Sequence, residues 1–334
     1  MKHKLPYAIL LFFILLLLFP AAATAGAKEG LNIWQERLLP TLLPCFISLK
    51  LCQSLGILSN KNPKGKLPIL CLFSLAAGAP NGAKQLQLLV EDGAIEATQA
   101  QRLLPYINQV SPAFLFSIMA LLTPEHKRIL LPFSMSFYLV SAACLSCFLI
   151  INKGKAVVGR QSVPLPFAKA FSLAIENSML DILRVCGCVV FASSLLGVLR
   201  SFPLLTPLYP IIAPFMEVST GAMALSSLAV PLRVKVSLLC GAAAFGGMTV
   251  ALQTVCVFPS VRLGTYIVKK LLLACLVFLV CYIVFPLFPI PAAVFTSGQE
   301  MMRRTLTAGG LLLSFAVSLI YVFLLSIMAK GVKR

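Results

Sequence analysis

Apolar residues fill long stretches of this chain in runs, and polar residues collect in the gaps between them rather than alternating along a face. Runs of about 20 residues without charge are long enough to cross a hydrocarbon layer of roughly 30 Å as helices. The pattern predicts spans at about 35–58, 103–123, 129–151, 170–198, 236–258, 264–290 and 306–329, besides an apolar segment at the N-terminus. Two further apolar stretches are interrupted. Leu67 to Val90 contains Gly78-Ala-Pro-Asn-Gly-Ala-Lys84, and Leu204 to Val230 contains Pro207, Pro210, Pro214 and then Glu217-Val-Ser-Thr-Gly221. Pro and Gly at this density break helices, and broken backbone at membrane depth survives only when it is buried in protein or lines a polar cavity. Both stretches are expected to be re-entrant hairpins, so the fold class is all-α: a polytopic membrane protein of about eight transmembrane helices plus two hairpins.

The order of these elements repeats. Residues 30–152 read as span, hairpin, span, span, and residues 165–290 read as the same series entered from the opposite side, with an N-terminal unit at 1–27 and a C-terminal helix and basic tail at 300–334. An inverted repeat with broken helices is a construction of secondary transporters, because exchanging the conformations of the halves opens one site to each side in turn.

Composition supports the membrane assignment and narrows the function classes. Apolar residues make up 59% of the 334 positions and charged residues 11%, against roughly 25% charged in soluble domains. The net charge of +18 sits between apolar runs, as topology signals do, and no basic face carries the interleaved aromatics that nucleic acid would need. The lipid bilayer is the expected partner. Lys61, Lys64, Lys66, Arg102, Lys153, Lys155, Arg160, Lys169, Arg262, Lys269 and Lys270 then fall on the side of Lys2 and Lys4, which places both termini in the cytoplasm of a bacterial cell membrane; Arg233, Lys235, Arg303 and Arg304 are exceptions. The 11 Cys lie in apolar windows, and His3 and His126 are the two histidines, so no metal site and no cofactor is expected. The N-terminus, Lys2-His-Lys4 followed by Leu5 to Phe19 and a small-residue stretch to Ala27, suits either a secretory signal or a first membrane helix; together these residues reach spanning length, which favours the helix.

Candidate chemistry lies at the breaks. In the first half Gly78, Asn81, Gly82 and Lys84 form a hairpin tip, and Asn108 and Ser111 mark a second break about 30 residues on. The N-terminus of a returning half-helix presents free N–H groups to an anion, and Lys84 adds a full charge. In the second half Glu217, Ser219, Thr220, Gly246, Gly247, Thr249 and Gln253 offer hydroxyls, an amide and one carboxylate. Glu217 is a coupling candidate, because an ionisable group inside a membrane domain is costly. Glu176, Asn177 and Asp181 with Arg184 make a third cluster; Asn177, Asp181 and Arg184 share a helix face and suit either gating or a local structural pair. No protease constellation and no G-x-x-x-x-G-K-[ST] occurs, so the expectation is a carrier of a small anionic substrate, driven by a proton or sodium gradient or by mass action, and not an enzyme.

Trp34 to Phe46, Gly78 to Lys84, Asn108-Gln-Val-Ser-Pro112, Ile175-Glu-Asn-Ser-Met-Leu-Asp-Ile-Leu183, Glu217 to Gly221 and Gly246-Gly-Met-Thr-Val-Ala-Leu-Gln253, taken in order, resemble the YlbJ-type sporulation integral membrane proteins over about residues 30–325. That family is similar to the nucleoside-recognition Gate proteins. The resemblance implies transport of dipicolinic acid, a planar pyridine with two carboxylates, across the outer forespore membrane during sporulation. Ala79 and Ala251 depart from the aromatic and the polar residue that it leads one to expect. A Gate-type carrier of a nucleoside or another small anion, and a non-transporting scaffold in spore assembly, remain open beside it.

Overall fold

A computed structural model of the protein describes residues 5–56, 74–122, 130–151 and 164–285. Within them the chain is helical, with no strand. Four helical runs are long and apolar enough to cross a membrane: Ala97–Ala120, Phe167–Arg200, Leu232–Val257 and Leu263–Val284. The N-terminal pair Leu10–Leu18 and Pro20–Ser54 makes a fifth if a bend of 103° is counted as one span. The expected span at 306–329, the C-terminal unit from 300 and the first arm of the first hairpin before residue 74 lie outside the described residues.

Helix α1 (Leu5–Leu18) ends at Phe19, and α2 (Pro20–Ile33) starts with proline in its first turn, where a missing N–H costs nothing. The bend separates the apolar N-terminus from residues 20–27, which instead continue through a π-helical turn (Trp34–Leu38) into α3 (Leu39–Ser54). The small residues of α2 explain its position. A Cβ on Gly26 would lie 2.2 Å from the Ser193 carbonyl oxygen, and one on Gly197 would lie 2.3 Å from that of Ala22. Gly26 and Gly30 thus form a small-xxx-small face that lets α2 seat directly on the 34-residue helix α8 (Phe167–Arg200). Arg200 closes this contact with two hydrogen bonds to Glu29, at 2.7 and 3.2 Å.

The first half continues with α4 (Asn81–Glu91), α5 (Ala97–Ile107), α6 (Pro112–Leu122) and α7 (Leu130–Ile151). The second half follows α8 with α9 (Tyr209–Met216), α10 (Val218–Ser226), α11 (Leu232–Phe245), α12 (Gly247–Val257) and α13 (Leu263–Val284). Two expected spans are not continuous helices. The run around 103–123 is interrupted at residues 108–111, and the run around 236–258 turns at Gly246 and Gly247, whose φ angles of +86° and +70° belong to the left-handed region that favours glycine. Gly246 ends α11 as a left-handed cap. In the second part of the chain the short pair α9 and α10 is followed by the broken run of α11 and α12 and by α13; in the first part the broken run of α5 and α6 is followed by α7.

Candidate functional site

The two hairpin breaks differ in how they satisfy their backbone. In the first, Gly78 has φ +79°, and a Cβ there would lie 2.7 Å from the Ser111 amide nitrogen. Ala79 N–H donates to Gln109 O at 2.8 Å, and Gly82 packs against Ile107 and Asn108. The segments 78–82 and 107–111 are therefore seated on each other, and glycine at 78 and 82 makes the approach possible. In the second, Glu217 is the extended N-cap of α10: its carboxylate accepts from Ser219 N–H at 3.0 Å and Thr220 N–H at 2.6 Å. The helix N-terminus at this tip is thereby filled by the chain's own carboxylate, a favourable pairing with the positive end of the helix.

The breaks of the two halves meet. A cavity of about 40 Å³ is lined by Ala79, Val110 and Ser111 from the first half and by Glu217, Val218, Gly246, Thr249 and Gln253 from the second, with Leu38, Leu42, Val185 and Val189 as apolar walls. That volume holds a few waters at most. Asn81, Asn108, Ser219 and Thr220 are buried close behind this lining; Asn81 Nδ2, Asn108 Oδ1 and Ser219 Oγ have no hydrogen-bond partner, and Thr220 Oγ1 pairs with Ser193 Oγ at 3.3 Å.

One turn from the cavity lies a charge cluster. Asp181 stands one turn before Val185 on α8 and is 2% exposed. Its carboxylate accepts from three cations: Lys84 on α4 at 2.8 and 3.1 Å, Arg184 at 3.0 Å, and Lys50 on α3. Lys50 also donates to the Asn177 carbonyl, and Trp34 Nε1 donates to Ile182 O at 3.1 Å. Three positive groups around one carboxylate leave the cluster with two uncompensated charges. Asp181 and Lys50 are buried, whereas Lys84 and Arg184 have side chains 29% and 54% exposed, so the surplus charge is reachable from one side. Lys84 is thus held at Asp181. Glu176 and the Asn177 side chain are exposed, and the Asn177 amide donates to Leu173 O on its own helix.

A second polar network ties the other break. Asn108 Nδ2 donates to Thr254 Oγ1 at 2.8 Å and to Tyr266 Oη at 3.2 Å, and Lys270 Nζ donates to Asn108 O at 3.1 Å and Gln109 Oε1 at 3.2 Å. Lys270 is fully buried, not a loop charge at the membrane surface as its basic neighbourhood suggests. Sequence reasoning missed Lys50 and Lys270 as site residues, although a signal was present: each is a cation inside an apolar run, where charge is expensive unless paired.

The chain is an all-helical integral membrane protein over the described residues. No family model matches it, and no solved structure matches it. It is similar to the sporulation integral membrane protein YlbJ of Bacillus subtilis (strain 168), with 30% identity over 113 residues that make up 30% of this chain and 28% of that protein. The similarity therefore spans just over a quarter of the length of the curated relative.

Proposed function

We propose that this protein is a membrane carrier for a small aromatic carboxylate, with dipicolinic acid as the substrate that its chemistry fits best, and that it acts in sporulation as the relative's name says of that protein. The observation that carries the reading is the surplus of two positive charges around Asp181, one turn from a cavity where the breaks of both halves converge. Cations in a membrane domain that exceed their counter-charges mark the path of an anion. A dicarboxylate neutralises this surplus, and charge-assisted hydrogen bonds to it contribute about 1.5–3 kcal/mol each.

The matching order of elements in residues 30–152 and 165–290 supports an inverted repeat of Gate type, and the broken helices at its centre suit alternating access. The 40 Å³ cavity is far below the roughly 300–1,000 Å³ of pockets that enclose organic ligands, so loading requires the hairpins to part, and the present arrangement corresponds to a closed carrier. Both termini on the cytoplasmic side, and the outer forespore membrane as the location, belong to the same proposal.

The test is uptake of labelled dipicolinate by purified protein in liposomes, with a nucleoside as competitor. Saturable uptake that the nucleoside leaves unchanged supports the reading. Competition by the nucleoside points to a nucleoside carrier, and absence of flux for either points to a scaffold.

A further inference from the structure

The carrier reading leaves one buried cation without a task. Lys270 on α13 is wholly out of contact with solvent, and among the described residues no carboxylate pairs with it, since the ion pairs there converge on Asp181 and Glu29. What surrounds its amine is oxygen without charge, supplied by the broken helix: Asn108 O at 3.1 Å and Gln109 Oε1 at 3.2 Å. The titratable groups on the elements packed against it offer no counter-ion. Tyr266 on its own helix is a phenol bonded to Asn108, Tyr138 on α7 donates its hydroxyl to Val110 O at 2.9 Å, and Cys240 and Cys281 are buried thiols. Arg102 and Lys269, towards the surface at a pocket that Tyr266 also lines, are themselves cations.

The oxygen count suits both protonation states of the amine. Two acceptors satisfy the two N–H groups of a neutral amine, whereas an ammonium has three. Asn108 Oδ1, on the same residue, is buried and without a partner, so an acceptor is left unused at this break. What the ammonium lacks is a compensating negative charge, which is costly in a dry site. An anion provides one when it reaches the cavity, whose wall includes Val110 and Ser111, the two residues that follow Gln109.

We infer that Lys270 carries the coupling proton: it is protonated when the anionic substrate binds and gives the proton up when the substrate leaves, so that the protein is a proton–anion symporter. By linkage the proton tightens substrate binding by the same factor as substrate tightens proton binding. This rests on the carrier reading. It assigns the coupling to Lys270, and leaves Glu217 as a helix cap and Asp181 as the anchor of the cationic cluster.

The experiment uses the full chain in liposomes and labelled dipicolinate. Counterflow exchange without any gradient reads the carrier alone, and accumulation under a pH gradient, acid outside, or under a sodium gradient reads the coupling. In the unmodified protein one pH unit drives about tenfold accumulation for each proton carried, and a sodium gradient drives none. Lys270→Met, which lacks the charge that the bound anion compensates, loses accumulation and needs a higher dipicolinate concentration for half-maximal counterflow. Lys270→Arg, which keeps the donors and a permanent charge, also loses accumulation, and it serves as the second variant should the first fail to fold. Accumulation by either variant as in the unmodified protein, or driving by sodium alone, overturns the inference and leaves the carrier standing. Absence of counterflow in the unmodified protein overturns both.

Discussion

Lys84 and Asp181 lie 2.8 Å apart and join α4 to the long helix α8. The contact is direct, yet Asp181 is shared with Lys50 and Arg184, so Lys84 is not essential to neutralise it. Lys84→Met is therefore expected to leave the unfolding temperature of the detergent-solubilised protein nearly unchanged, because Asp181 keeps Lys50 and Arg184 and no buried charge is stranded. Dipicolinate affinity is expected to fall by about tenfold to a hundredfold through loss of a charge-assisted bond. Equal losses of affinity and stability would mean that Lys84 is a structural tie.

Asp181→Asn is expected to behave differently. It leaves Lys50, buried on α3, without a carboxylate, and breaking a buried pair from one side costs about 3–5 kcal/mol. Thermal unfolding in detergent checks this. The double variant Asp181→Asn with Lys50→Met should recover most of the loss, because it removes the stranded charge as well.

Glu217→Gln is expected to keep the dependence of uptake on the pH gradient, since the carboxylate caps α10 through Ser219 and Thr220. Glu217→Ala should cost about 0.5–2 kcal/mol of stability, the usual loss for an N-cap. The two variants compared by unfolding and by gradient-driven uptake separate capping from coupling.

Part of the frame is legible in the sequence, for physical reasons that particular residues show. Gly78 and Gly82 announce a break because glycine tolerates left-handed backbone or close approach, whereas the bend before Pro20 and the turn at Gly246 fall inside stretches that read as single spans, since an apolar run hides a local break from a count of its length. Asp181 and Arg184 announce a pair by their spacing, and the pair is present at 3.0 Å. The partners that come from distant elements are not legible: that Lys50 reaches Asp181 across 131 positions, or that Lys270 reaches Asn108 across 162, follows from the packing of α3 on α8 and of α13 on the broken helix. Lys270 is the instructive case. Beside Lys269 it looks like one more topology charge, whereas consecutive helical residues point about 100° apart and one of the two is turned into the protein.

Packing of α2 on α8 makes a further prediction independent of any substrate. Gly26→Leu places side-chain atoms where even a Cβ meets the Ser193 carbonyl at 2.2 Å, so the helices must separate. Overpacking costs typically about 1–3 kcal/mol, and a lower unfolding temperature with weakened cross-linking between cysteines introduced on α2 and α8 is expected. An unchanged unfolding temperature would show that the two helices are not held at this distance.

The central claim, that surplus positive charge beside the convergent breaks selects an anion, is tested most directly by equilibrium binding of two ligands of one shape to the purified protein: dipicolinate and its uncharged diamide, pyridine-2,6-dicarboxamide. The account predicts that dipicolinate binds at least about tenfold more tightly, the value of one charge-assisted bond, and that Lys84→Met narrows the gap. Equal affinity for the two ligands, or a gap that Lys84→Met leaves intact, would contradict it.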